Sequence, residues 1–208
     1  MPPPTLLLAT RNPGKVREMS AILAEAIPGL KIVGASEFPA TREPEETEPD
    51  FAGNARLKAL HYSISTGLPA LADDSGLEVD GLGGRPGVAS ARYAPTDAER
   101  IAKLLAELEE AGAGVHRYAR FRCAMALSMP TAWGRPMKVL APSQGTLEGA
   151  IATSPRGAGG FGYDPIFAVE EAGGRHLAEL APEEKNRISH RFRALQAIVP
   201  RLRALLTP

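Results

Sequence analysis

Two adjacent carboxylates, Asp73 and Asp74, follow directly on the apolar run 68–72. That run predicts a short buried strand ending in the pair, followed by a turn. Carboxylates at a strand end are exposed but rigidly held. Side chains alternate faces along a strand, so only one of the two can point squarely into a cleft, and the other organises the loop. A fixed carboxylate beside phosphate chemistry is a usual anchor for Mg²⁺, which takes oxygen ligands from one or two carboxylates and from substrate phosphates. Asp-Asp-Ser-Gly is equally the composition of a surface turn. The pair therefore needs support from the rest of the chain.

A second chemical stretch is Thr10-Arg11-Asn12-Pro13-Gly14-Lys15. It lies between the apolar run 5–9 and a segment in which Val16, Met19, Ile22, Leu23 and Ala26 recur at helical spacing. A loop between a strand end and a helix N-terminus presents unpaired N–H groups and the positive end of the helix dipole, which favour an anion. Thr10, Asn12 and Lys15 add a hydroxyl, an amide and a positive charge. The Walker spacing is absent, so this is not a P-loop, and an ordinary strand-to-helix connection with a solvated lysine remains open.

Further candidates are spread along the chain. Glu37, Glu43, Glu45, Glu46, Glu48 and Asp50 make an acidic, Pro-rich stretch that suits a solvated loop or a second metal carboxylate. Asn54 and Lys58 stand four apart on a predicted helix beginning at Phe51, so they either meet one ligand or form a surface pair. In 157–167, four glycines flank Phe161, which lets backbone approach a flat ligand and leaves the ring free to stack, or makes a plain turn. Lys185 and His190 are five apart, roughly 140° around a continuous helix, so they would not face one ligand there. Ser189 as an N-cap instead splits 182–206 in two and gathers Lys185, His190 and Arg191 at the junction.

The elements that must position these groups alternate between strand and helix. Residues 31–34 suit a second strand. Thr96 and Glu99 form a capping box that starts a structural helix at Asp97, with Ile101, Leu104, Leu105 and Leu108 as its stripe and Gly112 as its stop. Residues 118–129 alternate: Ala119, Phe121, Cys123, Met125 and Leu127 share one face, and Arg120, Arg122 and Ser128 the other, the period of a half-covered strand. Cys123 reads as an inert core thiol. Residues 137–140 and 145–150 extend an antiparallel arm with Trp133-Gly134 at its hairpin tip. The stripe Phe192, Leu195, Val199, Leu202 and Leu206 belongs to the last helix, which Pro200 should kink or end.

The 208 residues suit one domain or two lobes sharing a sheet. Lys plus Arg and Asp plus Glu number 24 each, so no global charge draws the chain to nucleic acid or a membrane. With one cysteine there is no intrachain disulfide. No stretch is long and apolar enough to span a membrane, and Met1 followed by three prolines lacks the regions of a signal peptide. A cytoplasmic location is expected. No internal repeat of fixed period is evident.

Four stretches taken in order carry a resemblance: 10–15, 72–77, 160–165 (Gly-Phe-Gly-Tyr-Asp-Pro) and 184–191 (Glu-Lys-Asn-Arg-Ile-Ser-His-Arg). Together the chain resembles the inosine/xanthosine triphosphate pyrophosphatases, the Ham1-like enzymes, from about residue 6 to residue 206. The resemblance implies an α/β fold with a long bent mixed sheet flanked by helices, two lobes with a nucleotide cleft between them, and a homodimer. It implies Mg²⁺-dependent hydrolysis of ITP, dITP and XTP to the monophosphate and pyrophosphate. Carried over, Thr10, Arg11, Asn12, Pro13, Gly14 and Lys15 would hold the triphosphate, with Lys58 nearby. Asp74 would be metal ligand and proton acceptor, Glu45 (or Glu46) the second metal carboxylate, and Ser75 a substrate contact. Phe161, Gly162, Tyr163, Asp164, Lys185, His190 and Arg191 would form the base and sugar pocket. Arg11 is bulkier than the small residue expected at its position.

Three rivals remain. A Maf-like nucleotide pyrophosphatase lacks the Phe-Gly-Tyr-Asp and Ser-His-Arg pairing. A haloacid-dehalogenase phosphatase needs Asp-x-Asp where this chain has Thr10-Arg11-Asn12. A non-catalytic nucleotide- or RNA-binding module fits poorly with zero net charge and an acidic pair beside the anion loop.

Overall fold

A computed structural model describes residues 4–112, 114–130, 138–139 and 142–206. The expected hairpin tip at Trp133-Gly134 lies outside these residues. The chain forms two compact units, one of Met1–Asp74, Cys123–Gly145 and Arg191–Pro208, the other of Ser75–Arg122 and Thr146–His190.

The first unit begins with β1 (Thr5–Leu8), α1 (Pro13–Ala26) and β2 (Lys31–Gly34). β1 pairs in parallel with β2 and with β3 (Ala70–Val79), in the register Leu7 to Ala70 and Leu8 to Leu71. Between β2 and β3 comes α2 (Phe51–Thr66), capped by Asp50, whose Oδ1 accepts from the Gly53 N–H at 2.7 Å. Strand alternation sorts the core into two sides. Leu6, Leu8, Leu71, Met125 and Leu127 pack with α1 and with the last helix, α5 (His190–Leu206). Leu7, Ala70, Ala72 and Ala126 pack with Ala55, Ala59 and Tyr62 of α2.

Two expectations change here. β4 (Tyr118–Met129) is half-covered only at its start, and from Cys123 onward both sides are buried, because Ala124, Ala126 and Ser128 are small enough to lie under close packing. The carboxylate pair does not end a strand: β3 runs through Asp73, Asp74, Ser75 and Gly76 to Val79. It lies between β1 and β4 in the strand order β2-β1-β3-β4-β6-β7; its register with β1 stops at Leu71, so the strand continues past Asp-Ser-Gly as a neighbour of β4, and that sheet context overrides the turn preference. β5 (Lys138–Val139) pairs with β4, antiparallel. α5 continues through Pro200 to Leu206, so the proline does not end it.

The second unit holds the later half of β3, the start of β4, α3 (Asp97–Glu110), most of β6 (Ser143–Ile151), β7 (Phe167–Val169) and α4 (Pro182–Ile188). Leu77, Val79, Leu104, Leu108, Phe121, Leu147, Ile166 and Phe167 make its core. The capping box is formed as expected: Thr96 Oγ1 accepts from the Glu99 N–H, and Glu99 Oε2 accepts from the Thr96 N–H at 2.9 Å. α4 and α5 are separate helices, with Ser189 extended between them (φ −61°, ψ 149°).

A short structural repeat, too brief to show as a sequence period, lies in this unit. Asp80–Leu82 and Glu170–Ala172 each form one 3₁₀ turn, closed by Gly83-Gly84 and Gly173-Gly174, all four at positive φ. The second glycine of each pair donates its N–H 2.9 Å to the carbonyl before the turn, at Val79 or Val169. An arginine follows each pair and reaches a glutamate of a helix, Arg85 to Glu107 on α3 and Arg175 to Glu184 on α4. In sequence the likeness amounts to a valine, an acidic residue and, after two further residues, Gly-Gly-Arg.

Candidate active site

Strand parity sends the two carboxylates to opposite sides of the sheet. Asp73 shares the parity of Leu71, and Asp74 that of Ala70 and Ala72, so Asp73 faces α1 and α5 while Asp74 faces α2. Lys15 Nζ lies 2.9 Å from Asp73 Oδ2, and Arg191 donates from Nε to the same oxygen at 3.3 Å and from its other arm to Glu18 of α1. Arg191 and Asp73 are buried. Burial alone would raise the Asp73 carboxyl, but Lys15 and Arg191 beside it hold it well below the usual carboxylate range.

On the other side Lys58 Nζ donates to Asp74 Oδ1 at 2.9 Å and to Glu46 Oε1 at 2.8 Å, and Asn54 Nδ2 donates to Asp74 Oδ2 at 3.3 Å. Asn54 and Lys58 thus do meet one partner, as their spacing allows. Burial pushes the Asp74 carboxyl up; Lys58 pulls against this and Glu46 adds to it. Lys58 is 4% exposed, yet its ammonium is held above the ordinary lysine range, because Asp74, Asp73 and Glu46 outweigh the cost of burial.

The acidic stretch supplies one inward carboxylate, and it is Glu46. Of the two glutamates weighed as the second metal carboxylate, Glu45 is exposed and Glu46 reaches the ammonium that Asp74 shares. Several bonds hold this loop. Arg11 donates to the Thr41 carbonyl at 2.7 Å and to that of Phe38 at 3.4 Å; His61 Nε2 donates to the Arg42 carbonyl at 2.7 Å; Asn54 Oδ1 accepts from the Glu48 N–H at 3.0 Å. The bulk of Arg11 therefore does not disturb the loop 10–15, since its side chain leaves that loop to tether the acidic one. Asn12 shapes 10–15 by capping α1, its Oδ1 accepting from the N–H groups of Gly14 (2.9 Å) and Lys15 (3.2 Å), with Pro13 at the first helical position. Thr10 is buried and its Oγ1 accepts from the Asn12 N–H.

In the second unit Lys185, Asp164 and Phe161 come together. Lys185 Nζ lies 2.5 Å from Asp164 Oδ2 and 4.8 Å from the centre of the Phe161 ring, and the same Oδ2 accepts from the Phe161 N–H at 2.8 Å. The Gly162 N–H donates to Asp97, and Tyr163 is buried with its hydroxyl donating to the Ser90 carbonyl at 3.1 Å. His190 is buried and stacks on Phe121 with centroids 4.9 Å apart. Ser75 is half-buried within β3. Of the residues expected at the junction, Lys185 contacts Asp164, His190 stacks on Phe121, and Arg191 bonds Asp73 and Glu18. The break at Ser189 turns the chain, and neighbours on a helix diverge by about 100°.

Glu18 and Asp97 were not among the residues that sequence favours for a site. Glu18 had a signal, since a charge four residues before Ile22 sits on the margin of an apolar stripe. Asp97 had none beyond its place in a helix start.

For a metal, the donor set is oxygen only. An ammonium already lies between the Asp74 and Glu46 carboxylates at 2.9 and 2.8 Å, so a cation fits the pair. Among the described residues no group of three or more His, Cys, Asp or Glu is placed to hold a metal alone. Two carboxylates completed by phosphate and water oxygens match what Mg²⁺ takes.

Together these features define a class: mixed-sheet α/β proteins that set carboxylates and ammoniums beside a strand–loop–helix start, an arrangement suited to phosphate-bearing ligands with a cation. Within that class the family is shown. A Ham1 family model matches residues 6–201, and the chain belongs to that family. It is 50% identical over 196 residues to the dITP/XTP pyrophosphatase of Geobacillus kaustophilus, covering 91% of this chain and 90% of that one. It is 47% identical to the dITP/XTP pyrophosphatase of Thermus thermophilus, covering 93% and 89%. The HAM1 protein from Coxiella burnetii superposes with a TM-score of 0.81 at 44% identity over 96% of this chain and 98% of that one.

Proposed function

We propose that this protein hydrolyses non-canonical purine nucleoside triphosphates (ITP, dITP and XTP) to the monophosphate and pyrophosphate, with Mg²⁺ as cofactor. The observation that carries the reading is the Lys58 ammonium shared by Asp74 and Glu46, in a chain spanning nine-tenths of relatives called dITP/XTP pyrophosphatases. Phosphoanhydride hydrolysis needs charge neutralised on the leaving pyrophosphate and a water positioned by a carboxylate. Lys15, Lys58 and the loop 10–15 take the triphosphate. Asp74 accepts the proton of the attacking water, and its raised carboxyl makes it a better base than an exposed aspartate. Asp74 and Glu46 hold the Mg²⁺, which when bound neutralises phosphate charge.

Phe161, Asp164, Lys185 and His190 take the base. Lys185 keeps two further N–H donors beyond the one facing Asp164. A donor facing the 6-position donates to the carbonyl of hypoxanthine or xanthine and leaves adenine's amino group unpaired, which disfavours ATP. Gly162 and Tyr163 shape that loop, Ser75 contacts substrate, and Arg191 acts from below by fixing Asp73. A homodimer rests on the family resemblance, and a cytoplasmic location on the sequence reading of the N-terminus and the lack of a spanning stretch. Among the described residues no helix is long and apolar enough to cross a membrane.

The test is a panel of ITP, dITP, XTP, GTP, ATP and dTTP with purified protein. Turnover of the first three with little of the rest is expected; preference for dTTP would turn the reading toward Maf-like chemistry. The Arg11 tether gives a second expectation. Arg11→Ala should raise the Mg²⁺ concentration for half-maximal ITP turnover about tenfold, the low end for groups that orient a metal ligand. An unchanged Mg²⁺ dependence would show that the acidic loop holds Glu46 without Arg11.

A further inference from the structure

The first turn of α3 carries two carboxylates with different tasks. Glu99 closes the helix's own capping box with Thr96. Asp97 reaches another segment: its Oδ2 accepts the Gly162 N–H at 2.7 Å, 65 residues away in the chain. Its Oδ1 meets Arg100 at 2.6 Å, and Arg100 is fixed independently by the Ala94 carbonyl at 2.9 Å.

What Asp97 holds is the glycine-flanked segment that carries the Phe161 ring. Phe161 stands between Gly160 and Gly162, at φ +78° and +64°, so the backbone on each side of the ring is a glycine hinge. A side chain at Gly160 would meet the Asp164 carboxylate at a backbone conformation of positive φ, which favours glycine there. One hinge is locked by Asp164 through the Phe161 N–H at 2.8 Å. The other is locked by Asp97 through the Gly162 N–H. The backbone on both sides of the Phe161 ring is thus tied by an N–H···carboxylate bond, one from within the loop and one from α3, beside the Lys185 ammonium that faces the ring.

We propose that Asp97 is a positioning residue for purine recognition: it fixes the Phe161 ring in place by accepting the Gly162 N–H, without touching the nucleotide. The inference rests on the reading that Phe161 and its neighbours take the base. A charge-assisted hydrogen bond to a backbone N–H is short and stronger than a neutral one, and losing it frees the ring rather than removing a contact. The cost therefore falls on substrate binding.

Steady-state kinetics on Asp97→Ala, Asp97→Asn and Phe161→Ala separate the possibilities, with inorganic tripolyphosphate as a competitive inhibitor that probes the phosphate side alone. Asp97→Ala should raise KM for ITP about five- to tenfold, as loss of one charge-assisted bond implies, with kcat within about twofold. Its tripolyphosphate inhibition constant should not change. Asp97→Asn keeps an acceptor oxygen on the same stem and should recover most of the KM. If Phe161→Ala raises KM and Asp97→Ala lowers only the melting temperature, Asp97 is structural and the proposal fails while the base reading stands. If Phe161→Ala leaves KM and purine preference untouched, both fall. An equal KM increase in Asp97→Ala and Asp97→Asn, or a matching rise in the tripolyphosphate constant, also overturns the proposal.

Discussion

Asp74→Asn will give a folded protein that binds ITP with little change in KM and turns it over about 10²–10⁴-fold more slowly, the range that general-base groups contribute. The substitution keeps the shape of the side chain. Lys58 keeps Glu46 at 2.8 Å, so no ammonium is stranded in a buried site. What is lost is a carboxylate able to take a proton from water and to hold a cation. The pH profile follows from the raised Asp74 carboxyl. The base works ionised, so kcat/KM should fall as pH drops through an apparent pKa above the ordinary aspartate value. That acid limb should vanish from the residual activity of the variant. Near-normal turnover by Asp74→Asn would remove Asp74 from the chemistry.

Arg191→Met will cost stability rather than act first on the base. Its guanidinium is 2% exposed and links Asp73 to Glu18. Removing one partner of a buried ion pair costs roughly 3–5 kcal/mol, because the remaining charges lose their compensation. Urea unfolding should show the loss at neutral pH. The sign with pH is set by Asp73, whose carboxyl is depressed in the folded state. Its contribution is present above its unfolded pKa of about 3.9 and is lost as pH falls below that value. The variant, with a less depressed Asp73, should lose less on acidification than the parent, so the two stabilities converge at low pH. A stability difference near zero at neutral pH would show that Lys15 alone satisfies Asp73.

Much of the site was legible because strand and helix periods are simple. Alternation alone places Asp73 and Asp74 on opposite sides, and the four-residue spacing of Asn54 and Lys58 brings both to Asp74. The capping box at Thr96 and the break at Ser189 were read from local chemistry and stand where expected. The parts that escaped depend on non-local contacts. Turn propensity argues for ending the strand at Asp74, and the place of β3 beside β4 in the sheet, beyond the reach of β1, overrides it. The choice between Glu45 and Glu46 depends on which carboxylate a folded loop carries to Lys58. Arg191 looked like part of a basic cluster, and only the packing of α1 and α5 shows its acidic partners. Asp97 was indistinguishable from an ordinary first-turn acid until the Gly162 N–H was seen against it.

The central claim is best tested by the products made from ITP. Purified protein with Mg²⁺ and ITP should yield IMP and pyrophosphate in equal amounts, with no inorganic phosphate beyond the blank, and chelation of the metal should stop the reaction. IDP with inorganic phosphate, or no turnover while ITP binds, would contradict the account.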